Sequence, residues 1–200
     1  MMSSRDSSFG TPETRHRILE ATWRLIERKG VSPRLADVAG EAGISRQAIY
    51  LHFGDRAGLM VALVEHIDQS FGKEDIVRHI FDAPSGAEVL DRMIEGLSVY
   101  TARVDKVARV LEAAQYQDEA IAAAWRNRMN SRRAQITAII RRIAGEGKLV
   151  KGWSVETAAD LCYTVTMPGP WRELTHELGW TPEQYAEHVK RLLRRSFIAD

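Results

Sequence analysis

The sequence predicts an all-α protein, and three observations carry that prediction. Apolar residues recur at three- to four-residue spacing in almost every segment between breakers. No stretch sustains period-two alternation between hairpin turns. Segment starts carry capping residues and segment ends carry glycine. With 200 residues, 44% of them apolar, the chain can bury one good core and a small second one.

The elements follow in order. Thr11 caps a first helix with Pro12 at its first position, and the helix runs to Gly30 with Ile18, Leu19, Thr22, Leu25 and Ile26 as its buried stripe. A short helix from Leu35 to Ala42 stops at Gly43, and another runs from the Ser45 cap to Phe53. Asp55 caps a fourth, from about Arg56 to Phe71, which carries Leu59, Met60, Leu63, Val64 and Ile67 on one face. Residues 72–85 read as irregular, with Pro84 marking a boundary. Helices follow at about 86–102, 104–114 and 117–144. The last has Ile121, Trp125, Met129, Ile136, Ile139, Ile140 and Ile143 along one side. Its other side is basic, with Arg126, Arg128, Arg132, Arg133, Arg141 and Arg142, and reads as a solvated cationic face with some pairing. A helix from Val155 to Met167 is broken at Pro168-Gly169-Pro170, a short one covers Trp171 to Leu178, and Thr181-Pro182 opens the final one. That last helix carries a stripe of Tyr185, Val189, Leu192, Leu193 and Phe197.

Composition excludes several classes. No apolar run approaches the ~20 residues that cross a bilayer, and the polar, Ser-rich residues 1–10 read as a disordered arm of a cytoplasmic protein. The single Cys162, set in an apolar stretch, reads as buried. Over residues 1–56, nine Lys or Arg stand against seven Asp or Glu, a surplus too small to settle whether nucleic acid is a partner. There is no G-x-S-x-G, P-loop, H-E-x-x-H, cysteine pair or dinucleotide fingerprint. The pairs Glu65-His66 and His176-Glu177 point apart on a helix. The sequence thus predicts no enzyme, no metal and no cofactor.

Residues 35–53, LADVAGEAGISRQAIYLHF, have the construction of a helix-turn-helix. Ala39 lets the second helix come close, Gly43 supplies the turn, and Ile44 with Ile49 fills the wedge, completed by Val38, Leu35 and Phe53. Arg46, Gln47, Tyr50 and His52 remain for the outward face. Arg and Gln can pair bidentately with guanine and adenine edges, and helix N-termini can hold phosphates. The alternatives are a bare three-helix packing motif and a helical ligand-binding protein without DNA.

From Thr14 to Leu63 the chain resembles the TetR family of bacterial one-component regulators. The carrying residues are Thr14, Arg15, Ile18 and Leu19, the AGISRQAIYLHF stretch, and Asp55, Arg56 and Leu59. The resemblance implies phosphate contacts from Tyr50, His52 and Arg56. Two positions depart from the family pattern: Pro33 and Arg34 stand where threonine usually enters the second helix, and Arg56 stands for the usual lysine. The expected DNA-binding set is therefore Arg15, Arg34, Ser45, Arg46, Gln47, Tyr50, His52 and Arg56.

The expected architecture is an N-terminal three-helix reader plus a C-terminal helical bundle, about nine helices, dimerising through the last two long ones. Residues 1–10 form the arm, 11–56 the helix-turn-helix domain, 57–71 a connecting helix, and 72–200 an effector-binding and dimerisation domain. The expected partners are double-stranded DNA with a pseudo-palindromic operator, a second copy of the chain, and a small apolar or aromatic effector. Tyr100, Tyr116, Trp125, Met129, Tyr163, Met167 and Trp171 are the candidates to line the effector pocket. The resemblance implies a repressor whose two heads are re-spaced from the roughly 34 Å groove repeat when effector binds.

Overall fold

The computed structural model describes residues 11–199, and the expectation of an arm at 1–10 lies outside them. Ten α-helices and one π-helical turn occur among the described residues. They divide into two compact units, the first made of residues 11–71 with 106–126, the second of 72–105 with 127–199.

In the first unit, α1 (Pro12–Lys29) starts where the Thr14 amide donates to the Thr11 hydroxyl and stops at Gly30, whose φ is 67°. Ile18, Leu19, Ala21, Leu25 and Ile26 on its inner side are buried. Thr22, also buried, donates its hydroxyl to the Ile18 carbonyl at 2.8 Å, so a polar group sits in this core without an unmet bond. α2 (Leu35–Ala42), α3 (Arg46–Phe53) and α4 (Arg56–Ser70) complete the unit's N-terminal part. Ion pairs tie α1 to α2: Arg28 and Arg24 both reach Glu41, at 2.7 and 3.3 Å, and Lys29 meets Asp37 at 3.2 Å.

In the second unit, α5 (Lys73–Phe81) occupies a stretch expected to be irregular. Its charges explain it: Glu74 and Asp75 sit in the first turn and Arg78 and His79 in the last, complementing the helix dipole. α6 (Gly86–Ala114) is one helix where two were expected, since no Gly or Pro interrupts residues 97–114. It is followed by α7 (Glu119–Gly145), and both helices contribute residues to both units. α8 (Val155–Val165), α9 (Pro168–Arg172), a π-turn at Glu173–Glu177 and α10 (Pro182–Phe197) close the chain. Val89, Leu90, Ile94, Ile136, Ile139, Ile140, Ile143 and Cys162 form the centre of the second core, together with Tyr185, Val189, Leu193 and Phe197. The expected stripe of α10 is thus largely consumed by the chain's own core, and only Leu192 of that set stays exposed.

The basic side of α7 keeps Arg126, Arg133 and Arg141 exposed, and its pairing goes deeper than the sequence suggests. In the second unit Arg128 donates to the Tyr100 hydroxyl and Arg132 to the Thr166 carbonyl. Arg133 reaches Asp160 at 2.6 Å, and Arg142 holds the carbonyls of Phe81 and Ala83 at 3.1 and 2.8 Å. Arginine's planar fork suits it to gathering several carbonyls at once. Glu146, paired with Arg142 at 3.0 Å, also accepts the Gly86 amide with both oxygens at 2.9 Å.

Candidate nucleic-acid interface

The turn between α2 and α3 is built by backbone bonds. Gly43 adopts φ 63°, ψ 40°, its amide donates to the Gly40 carbonyl at 3.2 Å, and the Ile44 amide donates to the Ala39 carbonyl at 3.0 Å. These two bonds are a Schellman closure, which an L side chain at position 43 would strain. Ser45 then starts α3 by accepting the Ala48 amide at 3.2 Å. Val38, Ala39, Ala42, Ala48 and Ile49 are buried, and Ile49 is fully so at 0% exposure. Leu35, Ile44 and Phe53, expected to share that core, are half-buried at its margin.

Seating α3 on Ala48 and Ile49 fixes which side chains face outward. Arg46 and Gln47 are exposed in its first turn, and Tyr50 is exposed one turn later. Leu51 joins them at 72% exposure. It escaped the sequence reading, although it lies four residues beyond Gln47 and therefore on the same face. His52 is half-buried, its ring 5.8 Å from that of Phe53. The guanidinium of Arg15, exposed on α1, lies 5.3 Å from the centre of the same Phe53 ring, within cation–π reach. Phe53 thus links Arg15 to His52. Arg34 occupies the N-cap of α2 without a side-chain cap bond, and exposed Arg56 opens α4 behind the Asp55 cap, which accepts the Gly58 amide at 2.7 Å. Six side chains of the expected set, at positions 15, 34, 46, 47, 50 and 56, share exposure on one small unit, while Ser45 spends its hydroxyl on the cap.

Residues 18–63, which hold all of this array but Arg15, match the family described as "Bacterial regulatory proteins, tetR family". Over that segment the chain is similar to the TetR family. It is 42% identical over 59 residues to the HTH-type transcriptional regulator TtgR of Pseudomonas putida, a match covering 29% of this chain and 28% of that one. The chain thus spans little more than a quarter of that relative's length. The HTH-type transcriptional repressor BepR of Brucella suis is 27% identical over 158 residues, covering 74% of this chain and 75% of BepR. Among solved structures, a putative transcriptional regulator from Saccharomonospora viridis in complex with choline superposes with a TM-score of 0.79 at 19% identity. That superposition covers 95% of this chain and 100% of the other, which shows that the two share a fold.

The residues expected to line an effector pocket divide differently. Tyr100, Met129, Tyr163, Met167 and Trp171 belong to the second unit, while Tyr116 and Trp125 belong to the first. Tyr116 is a correction: it sits in the turn after α6 at 85% exposure, where a side chain meets water rather than a cavity. Trp171 is packed into the second core at 3% exposure, beside the His176 ring at 5.3 Å. Tyr100, Met129, Tyr163 and Met167 are half-buried. Among the described residues, four buried polar atoms of the second unit find no hydrogen-bond partner: Asp105 Oδ2, Arg132 Nε, Trp171 Nε1 and Tyr185 Oη. Burial pushes the Tyr185 hydroxyl up to about 12, against the opposing charge of Arg132, and the Cys162 thiol likewise to about 12. Burial also lowers the Arg132 guanidinium below its usual value. A separate groove of about 460 Å³ between α7 and α8 is lined by polar residues, Arg133, Glu156 and Asp160 among them, and by none of the expected aromatics.

Proposed function

We propose that this chain is a sequence-specific DNA-binding transcriptional regulator of the repressor type, released by a small-molecule effector. The observation that carries the reading is the outward face of α3, where Arg46, Gln47, Tyr50 and Leu51 stand exposed on a helix held by buried Ala48 and Ile49. Arg46 and Gln47 supply donors for base edges, and Leu51 supplies an apolar contact for a thymine methyl. Arg15, Arg34, Tyr50, His52 and Arg56 grip phosphates on either side, and Ser45 orients the helix that carries the readers. Residues 11–56 act as the reader, 57–71 as the connection, and 72–200 as the effector-binding and dimerising body, in a cytoplasmic protein.

A single head of this size reads too few base pairs for operator-level affinity, so two copies on a pseudo-palindrome are required. Leu161 on α8 and Leu192 on α10, exposed at 39% and 52%, support pairing through those two helices. The unmet polar atoms of Asp105, Arg132, Trp171 and Tyr185 support an effector that enters the second unit with an apolar body and hydrogen-bonding groups of its own. A buried donor or acceptor left unpaired costs about 1–3 kcal/mol, which such a ligand recovers.

Selection of bound sequences from a random DNA pool tests the reading. The expected result is an inverted repeat, with affinity falling roughly 10³- to 10⁵-fold between 50 and 200 mM salt if about 6–10 phosphates are held. Enrichment of no sequence, or binding indifferent to salt, rejects the regulator and leaves a helical ligand-binding protein.

A further inference from the structure

The first unit contains a cluster that the DNA-binding reading leaves unused. His16 and Glu20 lie four residues apart on α1, hence on one face, and His66 reaches them from α4. One ligating atom from each of the three lies within 4.8 Å of the others. The His66 Nε2 to Glu20 Oε1 distance is 2.7 Å, and the two imidazole rings meet edge to face at 5.0 Å. The sequence hid this set, because His66 is 46 positions from Glu20 and its neighbour in the chain, Glu65, points elsewhere.

The geometry points to a divalent transition-metal site at His16, Glu20 and His66, with Zn²⁺ the best-suited ion. Two imidazoles and one carboxylate are a donor set for Zn²⁺ and its first-row neighbours rather than for the oxygen-loving Ca²⁺ or Mg²⁺. Zn–N and Zn–O bonds of about 2.0–2.2 Å place tetrahedral ligands about 3.3 Å apart. The separations here bracket that value, so side-chain rotations bring the three atoms onto one ion without moving either helix. Coordination uses the Nε2 lone pair of His66 in its Nδ1–H tautomer, and Glu20 changes from hydrogen-bond partner to ligand.

Access and surroundings agree with this assignment. His16 is exposed, while the side chains of His66 and Glu20 are 11% and 33% exposed, so the site is open on one side and sheltered on the other. Trp23 forms part of the shelter, its ring 6.4 Å from His66 and 5.8 Å from Phe71. A low-polarity wall beside the ligands strengthens metal bonds, and the remaining coordination positions face water. The ion would pin α4 to α1 within the first unit.

The test uses the untagged full-length chain, stripped with chelator and titrated with Co²⁺ as the spectroscopic probe, followed by displacement with Zn²⁺. The expected result is visible d–d absorption saturating at one Co²⁺ per chain and abolished by Zn²⁺. His16→Ala and Glu20→Gln should each weaken binding at least about 10-fold, since even outer-shell losses cost that much. His176→Ala, in the other unit, should leave it unchanged. Zn²⁺ should raise the unfolding temperature of the parent chain and not that of His16→Ala, an exposed-site change whose fold is checked by circular dichroism. Absence of saturable absorption, or equal affinity in parent, His16→Ala and Glu20→Gln, overturns the assignment and leaves His66–Glu20 as a structural pair. The outcome is independent of whether the chain binds DNA.

Discussion

The Ile44 amide donates to the Ala39 carbonyl at 3.0 Å, closing α2 over Gly43 and setting the angle at which α3 leaves the turn. An added Cβ at Gly43 would touch nothing within 4 Å, so the glycine is required by its φ of 63° alone. Gly43→Ala should therefore destabilise the chain by about 1–2 kcal/mol, the penalty of a left-handed L residue. Gly43→Asn should lose less, because asparagine tolerates that region. Denaturant melts of the two variants check both size and order.

Arg46 and Arg56 are both exposed but stand at different points of the proposed interface. Arg46→Ala should cost about 1–3 kcal/mol on the selected operator and relax the preference at one base position. Arg56→Ala should weaken all sequences alike and lower the salt slope by about one. Equal losses on every sequence for Arg46→Ala would remove it from the base-reading set.

Arg142 holds the Phe81 and Ala83 carbonyls and pairs with Glu146, which in turn holds the Gly86 amide. Arg142→Met leaves two part-buried carbonyls without their donor and should destabilise the chain by about 1–3 kcal/mol. Arg142→Lys should recover a fraction only, since one ammonium cannot span both carbonyls and the carboxylate. Urea midpoints of the three proteins provide the comparison.

Bonds from the Arg28 and Arg24 guanidiniums hold the Glu41 carboxyl down at about 2, against an ordinary 4.5. A folded-state value below the unfolded one contributes stability above pH 4.5, and that contribution disappears as pH falls toward 2. Glu41→Gln should accordingly be less stable than the parent at neutral pH and converge with it in acid. The gap should also narrow in high salt, because these partners meet water. Chemical melts at pH 7 and pH 2.5, each at two salt concentrations, measure it.

Cys162 is wholly buried and its thiol is pushed up to about 12. Almost no thiolate forms at pH 8, so an aromatic disulfide reagent should label the folded chain only as fast as it opens. Labelling at the rate of a free thiol would contradict the packing of α8.

Many helix boundaries are legible in the sequence because they are local chemistry. Thr11, Ser45, Asp55 and Thr181 cap helices through bonds three residues long, and Gly30 and Gly43 stop them through φ. Those signals need no knowledge of the rest of the chain. The arginines of α7 show where that logic ends: their spacing identifies a face, but not that the Thr166 carbonyl and the α5–α6 linker lie against it. α5 was missed because its apolar pattern is short and its stabilising signal is the charge order at its two ends. Tyr116 and Trp171 belong to the same residue class, yet one lies in a turn and the other in a core, a difference made by tertiary packing. The triad of His16, Glu20 and His66 depends on a helix pairing that no single-helix periodicity encodes.

At Gly86 an added Cβ would fall 2.9 Å from the Ile143 backbone nitrogen and 2.7 Å from its Cγ1. Most crowding inside a protein can be absorbed by swinging a neighbouring side chain aside, but here the obstacle includes main chain at the end of α7. Even a single methyl at this spot would act as a shim, lifting the start of α6 as a whole, so shape error there becomes displacement of a helix and not a local rearrangement.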